Sequence, residues 1–118
     1  MKIKEILELL QCGCLSENYD NDSDIIYVYA SDLMSDILVL PCPGALLVTG
    51  LVNHQVVRTS KIAGVNVILF VRNKKPEPGV IDLSVKYKIP ILTTKLSMFE
   101  ACGLLYNHGL RSVHSKKD

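Results

Sequence analysis

The stretch ALLVTGLVNHQVVRTSKIAGVNVILFV, residues 45–71, decides the fold class. It opens on an apolar run of strand length, residues 45–49, which Gly50 ends. A helical segment over 53–63 follows, with Val56, Thr59 and Ala63 on one side, and Gly64 closes it. Residues 66–71 are then an unbroken run of strand length, in which Ile68, Leu69, Phe70 and Val71 leave no polar face. A strand that does not alternate is covered on both sides, and strand, helix and strand in succession make a βαβ unit.

The same rhythm extends in both directions. Upstream, residues 25–29 are β-branched and aromatic and read as a strand. Ser31 and Asp32 are placed to cap a helix whose apolar face is Leu33, Met34, Ile37 and Leu38, and Pro41-Cys42-Pro43-Gly44 stops it. Downstream, Pro76-Glu77-Pro78 opens a helix with Val80, Leu83, Ser84 and Tyr87 at i, i+3, i+4 and i+7. Residues 89–93 form a short strand, and Ser97 with Glu100 matches the capping box at a helix start. Phe99, Cys102, Gly103 and Tyr106 then line one face of the last helix, which Gly109 ends.

At the front, Ile3, Ile6, Leu7 and Leu10 mark a helix over 3–10, Gly13 suits its stop, and the polar residues 16–24 read as a loop. Strand starts near 25, 45, 66 and 90 recur about every twenty residues, with a helix in every gap. The expected fold is therefore α/β: a three-layer α/β/α sandwich with a mainly parallel sheet of four to five strands and right-handed crossovers.

The totals agree. A chain of 118 residues, 48% hydrophobic and 21% charged, is in the range of a single globular domain and outside that of disorder. Mean hydropathy of +0.25 is high for so short a chain and fits a sheet covered on both faces. Thirteen basic against twelve acidic residues lack the basic excess of a nucleic-acid binder. No apolar run approaches the ~18 residues of a membrane span, and Met1-Lys2-Ile3-Lys4 leads directly into an amphipathic pattern. The expectation is a cytoplasmic protein with its four cysteines as thiols, no nucleic-acid partner and no membrane. The basic residues 111–118 are expected to be a solvated tail beyond a domain over 1–110.

Ligands of open parallel sheets bind beyond the carboxyl ends of the strands. Ser31, Asp32 and Ser35 follow the first strand, Thr49, Gly50 and Asn53 the second, Arg72, Asn73, Lys74 and Lys75 the third, and Thr93, Thr94 and Lys95 the fourth. Hydroxyls, amides and cations so gathered, beside helix N-termini, favour an anion such as phosphate. Ordinary helix caps and a solvated charge run account for the same residues, and both readings stand.

No G-x-x-x-x-G-K-[ST] or G-x-G-x-x-G is present, so the parts of a phosphoryl-transfer site are missing. Asp20, Asp22 and Asp24 lie in the polar loop without the glycine and closing glutamate of a calcium site. Cys12 and Cys14 have no second pair with which to hold zinc, and His54, His108 and His114 are scattered. No metal, cofactor or catalytic residue is expected.

Taken together, Ala30-Ser-Asp-Leu-Met-Ser-Asp36, Leu47-Val-Thr-Gly-Leu-Val-Asn53, Gln55-Val-Val-Arg-Thr59, Pro90-Ile-Leu-Thr-Thr-Lys95 and Met98-Phe-Glu-Ala-Cys-Gly103 resemble the DRTGG domain in order and spacing, over residues 1–110. The string that names the family is absent. The resemblance implies a fold similar to the amino-terminal domain of HPr kinase, without the phosphate-binding loop of the kinase half. It also implies a regulatory or dimerising role associated with adenine nucleotides, as in DRTGG inserts between CBS domains of pyrophosphatases. Stand-alone members accompany iron-hydrogenase genes. The resulting expectation is a non-catalytic homodimer that senses a phosphorylated small molecule through Ser31, Thr49, Gly50, Asn53, Thr94 and Lys95. The rival is a docking protein for a metabolic or hydrogenase-related enzyme complex, with no small ligand.

Overall fold

The apolar runs pair into one sheet. The computed structural model describes residues 1–16, 19 and 22–115. In chain order it has α1 (Ile3–Leu9), β1 (Gly13–Cys14), β2 (Tyr27–Ala30), α2 (Met34–Val39), β3 (Leu46–Thr49) and α3 (His54–Ala63). Then follow β4 (Val67–Phe70), α4 (Val80–Tyr87), β5 (Ile91–Thr93), α5 (Met98–Asn107), β6 (Arg111–Ser112) and a 3-10 turn, Val113–Ser115. The strands form a six-stranded sheet in the order β1-β5-β4-β3-β2-β6, parallel throughout except for β1.

The register of β3 on β4 pairs Leu46 with Val67 and Thr49 with Phe70, and all eight positions of these two strands are buried. Alternation along the pleat sends successive side chains to opposite faces. Leu47, Ile68, Phe70 and Ile91 pack with Met34, Ile37, Val56, Val57 and Val80, the inner faces of α2, α3 and α4. Leu46, Val48, Val67, Leu69 and Leu92 pack with Ile3, Ile6, Ala101 and Leu105 of α1 and α5. Both faces are therefore dry, and the layers are α/β/α. Each fully buried Leu, Ile or Phe contributes about 1.5–3 kcal/mol relative to an exposed one. The core thus lies in two slabs on either side of β3 and β4.

Among the described residues six strands stand where four to five are expected. The additional ones, β1 and β6, are two residues long and lie at the two edges, too short to carry a period. Gly13 starts β1 rather than stopping α1, whose chain turns at Leu10 and at Gln11 with φ +53°. Arg111, expected in a solvated tail, pairs with Tyr27, and Val113 behind it is buried. Residues 116–118 of that tail lie outside the described residues, as does Asp20 of the acidic loop.

Three local expectations change with the structure. The N-cap of α2 is Leu33, with no side-chain cap; the Ser31 hydroxyl accepts from Leu33 N–H, while Asp32 turns toward β3. Pro76 and Pro78 precede α4 rather than entering it, because Gly79 is its N-cap, with φ +85°. The inner face of α5 is Ala101 and Leu105, with Cys102 half-buried against the same core, so of the expected stripe Phe99, Gly103 and Tyr106 face away from it. The capping box at its start forms, with Glu100 N–H donating to Ser97 Oγ at 3.1 Å and Ser97 N–H to Glu100 Oε1 at 3.2 Å.

Candidate functional site

Because β2, β3, β4 and β5 run parallel, their carboxyl ends share one edge of the sheet. The backbone ties the turns there into a continuous rim. Ser31 N–H donates to Val48 O at 3.1 Å, Val71 N–H to Thr49 O at 3.2 Å, and Asn73 N–H to Thr94 O at 2.8 Å. Arg72 and Asn73 hold left-handed conformations, φ +58° and +54°, as the chain turns back over β5.

The chemical centre of the rim is Asp32. Its Oδ1 accepts from Thr49 Oγ1 at 2.8 Å and from Gly50 N–H at 2.7 Å, bridging the ends of β2 and β3. Thr49 is fully buried, and its Oγ1 in turn accepts from Leu51 N–H at 3.1 Å. Gly50 leaves space at this point: the position of a Cβ there is 3.5 Å from Asp32 Oδ2 and 3.8 Å from Lys74 Nζ. The Gly50 N–H foremost, then Thr49 and the Lys74 and Arg72 charges, hold the Asp32 carboxyl below its ordinary value against the opposing cost of partial burial. A hydroxyl and a backbone N–H thus bond a single anionic group, with the Lys74 ammonium beside Gly50 and the Arg72 charge within electrostatic reach.

The other residues expected at the site have varied surroundings. Asn53 Oδ1 accepts from Val56 N–H at 3.2 Å and caps α3. Thr94 is buried, and its Oγ1 donates to Leu10 O at 2.8 Å and accepts from Leu96 N–H. Lys95 is exposed at the end of β5, and Ser31 is half-buried at the turn after β2. Of the six residues, Thr49 and Gly50 meet on Asp32; Asn53 and Thr94 have their polar groups engaged in local structure. His54 stands with its Nε2 2.8 Å from where a Cβ at Gly79 would be, so it packs on the start of α4 and would have to shift for a side chain there, where φ of +85° already favours glycine.

Asp32 belongs to the rim but reads in the sequence as a helix cap, because an Asp just after a strand and before a helix serves either purpose. Its signal would have been the hydroxyl-glycine pair at the end of the neighbouring strand. Lys74 and Arg72 read as part of a charge run.

The thiols have no shared site. Burial, with Cys14 beside it, pushes the Cys12 thiol up to about 12. Cys14 Sγ donates to Ser16 O, Cys42 is buried, and all four cysteines are free. Among the described residues no group of three His, Cys, Asp or Glu side chains could hold a metal ion. No helix among them is long and apolar enough to cross a membrane.

A second concave feature adjoins the rim. A groove of about 910 Å³ runs along the outward stripe of α5, over the end of β2 and beside Arg111 of β6. Ser31 lines the end where groove and rim meet.

No family model matches the chain, and no curated protein matches it by sequence. Its structure is similar to the CBS and DRTGG domains of the regulatory region of Clostridium perfringens pyrophosphatase, in a crystal structure complexed with the activator diadenosine tetraphosphate. The TM-score is 0.70 at 14% identity over 99% of this chain and 50% of that one. The chain thus spans about half the length of that structure, and at this identity the likeness shows the fold alone, an α/β sandwich.

Proposed function

We propose that the chain is a non-catalytic regulatory module that senses a phosphorylated small molecule, an adenine nucleotide in the first instance, at the carboxyl rim of its sheet, and that it acts as a homodimer. The observation that carries this reading is the bridge from Thr49 Oγ1 and Gly50 N–H to Asp32 Oδ1, with Lys74 and Arg72 alongside. Those donors already hold an oxyanion. A phosphate offers the same acceptor chemistry with more charge and draws on the same donors.

In this reading Asp32 is an internal competitor. The ligand displaces its carboxylate, takes the Thr49 hydroxyl and Gly50 N–H, and gains Lys74, Arg72 and Lys95 as counter-charges. Ser31 moves with Asp32 because the two are adjacent. Asn53 shapes the mouth by fixing the start of α3, and Thr94 holds the β5 turn in place from below. The adenine preference is supported by the fold's likeness to a regulatory region complexed with a diadenosine polyphosphate. No turnover is expected in this reading, because the sequence carries no G-x-x-x-x-G-K-[ST] or G-x-G-x-x-G phosphate loop.

Titration calorimetry with ATP, ADP and AMP tests the reading. Sub-millimolar binding that weakens about tenfold or more in Lys74→Ala is expected, as one desolvated charge contact to phosphate is removed. Absence of heat with every nucleotide, in a folded sample, contradicts it.

The alternative, docking onto a metabolic or hydrogenase-related enzyme complex without any ligand, is favoured by one observation: the apolar groove along α5. A protein that binds no nucleotide but is captured stoichiometrically by one purified enzyme fits that alternative.

A further inference from the structure

Two non-glycine neighbours hold the left-handed conformation in succession, Arg72 at φ +58° and Asn73 at φ +54°. No other adjacent pair among the described residues does so. Both are exposed, so core packing does not impose it. The conformation crowds a Cβ against the following carbonyl oxygen; asparagine tolerates it, and arginine does not share that tolerance.

Backbone bonds hold the pair in place. Val71 N–H points toward β3 and donates to Thr49 O at 3.2 Å. Arg72 N–H points the other way and donates to Leu96 O at 2.8 Å, just past β5. In a continuing strand the next N–H would swing back toward β3. Asn73 N–H instead donates to Thr94 O at 2.8 Å, on the β5 side again, and Lys74 N–H closes the turn on Val71 O at 3.4 Å. Positive φ at both central residues is the condition of the mirror-image turn that ordinarily takes Asn-Gly. Thr94, which receives Asn73, is itself fixed: it is buried, its N–H donates to Phe70 O at 3.0 Å and its Oγ1 to Leu10 O at 2.8 Å.

The segment is pinned again on the opposite side. Glu77 N–H donates to Val52 O at 2.9 Å, between β3 and α3. Residues 72–77 therefore cross the rim from the end of β5 to the segment after β3. Lys74 lies between the two pins, with its Nζ 3.8 Å from the position of a Cβ at Gly50. An exposed lysine has many rotamers, and fixing the root of its stem removes freedom that a bound anion would otherwise have to remove. A turn of the ordinary hand twists the chain the other way, so the left-handed pair decides where that root stands.

We propose that Asn73, together with Arg72, is a positioning residue of the rim: the left-handed turn, clamped to Thr94 O and Leu96 O, aims Lys74 at the seat formed by Thr49 and Gly50. The inference rests on the sensing reading above for its ligand, and on the turn alone for the placement of Lys74.

Two readouts test it, one with nucleotide and one without. In calorimetry with ATP, Asn73→Val, whose β-branch disfavours positive φ, is expected to weaken binding about fivefold or more. Asn73→Gly keeps the conformation available and is expected to stay within about twofold of wild type. Asn73→Val combined with Lys74→Ala is expected to bind no more weakly than Lys74→Ala alone, because the turn acts through that lysine. Thermal melting controls for folding; should Asn73→Val not melt cooperatively, Asn73→Ala takes its place with the same order of effects.

Without nucleotide, an NMR titration of the Asp32 carboxyl reads where the ammonium stands, since Lys74 is among the groups that hold that carboxyl down. Asn73→Val is expected to raise the Asp32 midpoint about as much as Lys74→Ala does, and Asn73→Gly to leave it in place. Binding as tight in Asn73→Val as in wild type overturns the proposal. So do losses that add in the double variant, or an Asp32 midpoint that answers to Lys74→Ala and not to Asn73→Val. A chain that binds no ATP while its Asp32 midpoint responds as expected overturns the nucleotide reading and supports the turn.

Discussion

The rim and the groove meet at Ser31, yet they are finished to different degrees. At the rim, polar groups find partners within the chain: Asp32 takes Thr49 and Gly50, Asn53 takes Val56 N–H, and Thr94 takes Leu10 O. In the groove, Phe99 stands in solvent, and Tyr106 is covered only by the Arg111 guanidinium, 4.2 Å over its ring. A polar site that is satisfied internally binds by exchange, so its affinity is a difference between two anions and is tunable by the internal one. An apolar face left open gains by simple coverage. Under the proposed function, the rim suits a sensor that must release its ligand, while the groove is free to be covered.

Substitutions should separate the two regions cleanly. The largest effect on the folded chain is expected at Thr94→Val, which orphans a buried Leu10 carbonyl and loses the acceptor for Leu96 N–H. It should cost about 2–3 kcal/mol in denaturant unfolding. Thr49→Val comes next, at about 2 kcal/mol, because a buried hydroxyl that donates to a carboxylate is removed, and it should also weaken nucleotide binding. Should Thr49→Val abolish binding without any loss of stability, the view of the rim as structurally engaged is wrong.

The groove should respond in the opposite sense. Phe99→Ser changes monomer stability by no more than about 0.5 kcal/mol, since an exposed side chain has little burial to lose. Its consequence belongs to association, read by light scattering. A loss of several degrees in the melting temperature of the isolated monomer would place Phe99 in the core and remove the contrast.

The smallest expected effect is in acid. The carboxyl of Asp32 is depressed in the folded chain, so the stability it confers is complete above its unfolded value and is lost as pH falls through the folded value. The acid limb of the unfolding profile should therefore be shallower in Asp32→Asn than in the wild type, with the two converging at the lowest pH. Because Asp32 is exposed, the difference is small and shrinks further in high salt.

Much of the architecture can be read from residues 45–71, since runs with no polar face force a doubly covered parallel sheet and glycines mark the turns. The six-strand count could not be read, because Gly13–Cys14 and Arg111–Ser112 become strands through their neighbours alone. The orientation of α5 was also ambiguous in principle. Met98, Phe99, Ala101, Cys102, Leu104, Leu105 and Tyr106 ring the helix almost completely, so a perfect i, i+3, i+4, i+7 pattern coexists with a different buried face. At the rim, Thr49 and Gly50 were legible from their place after a strand. Asp32 was not, because local sequence offers a carboxylate two uses and only the register of β2 on β3 selects between them.

The central claim, that a phosphorylated ligand replaces Asp32 on Thr49 and Gly50, is tested most directly by the Gly50 amide resonance during an ATP titration. The account predicts a saturable shift of that amide, reached at lower ATP concentration in Asp32→Ala, where the internal carboxylate no longer competes. An unmoved Gly50 amide in the presence of millimolar ATP, or a saturation point that rises when Asp32 is removed, contradicts it.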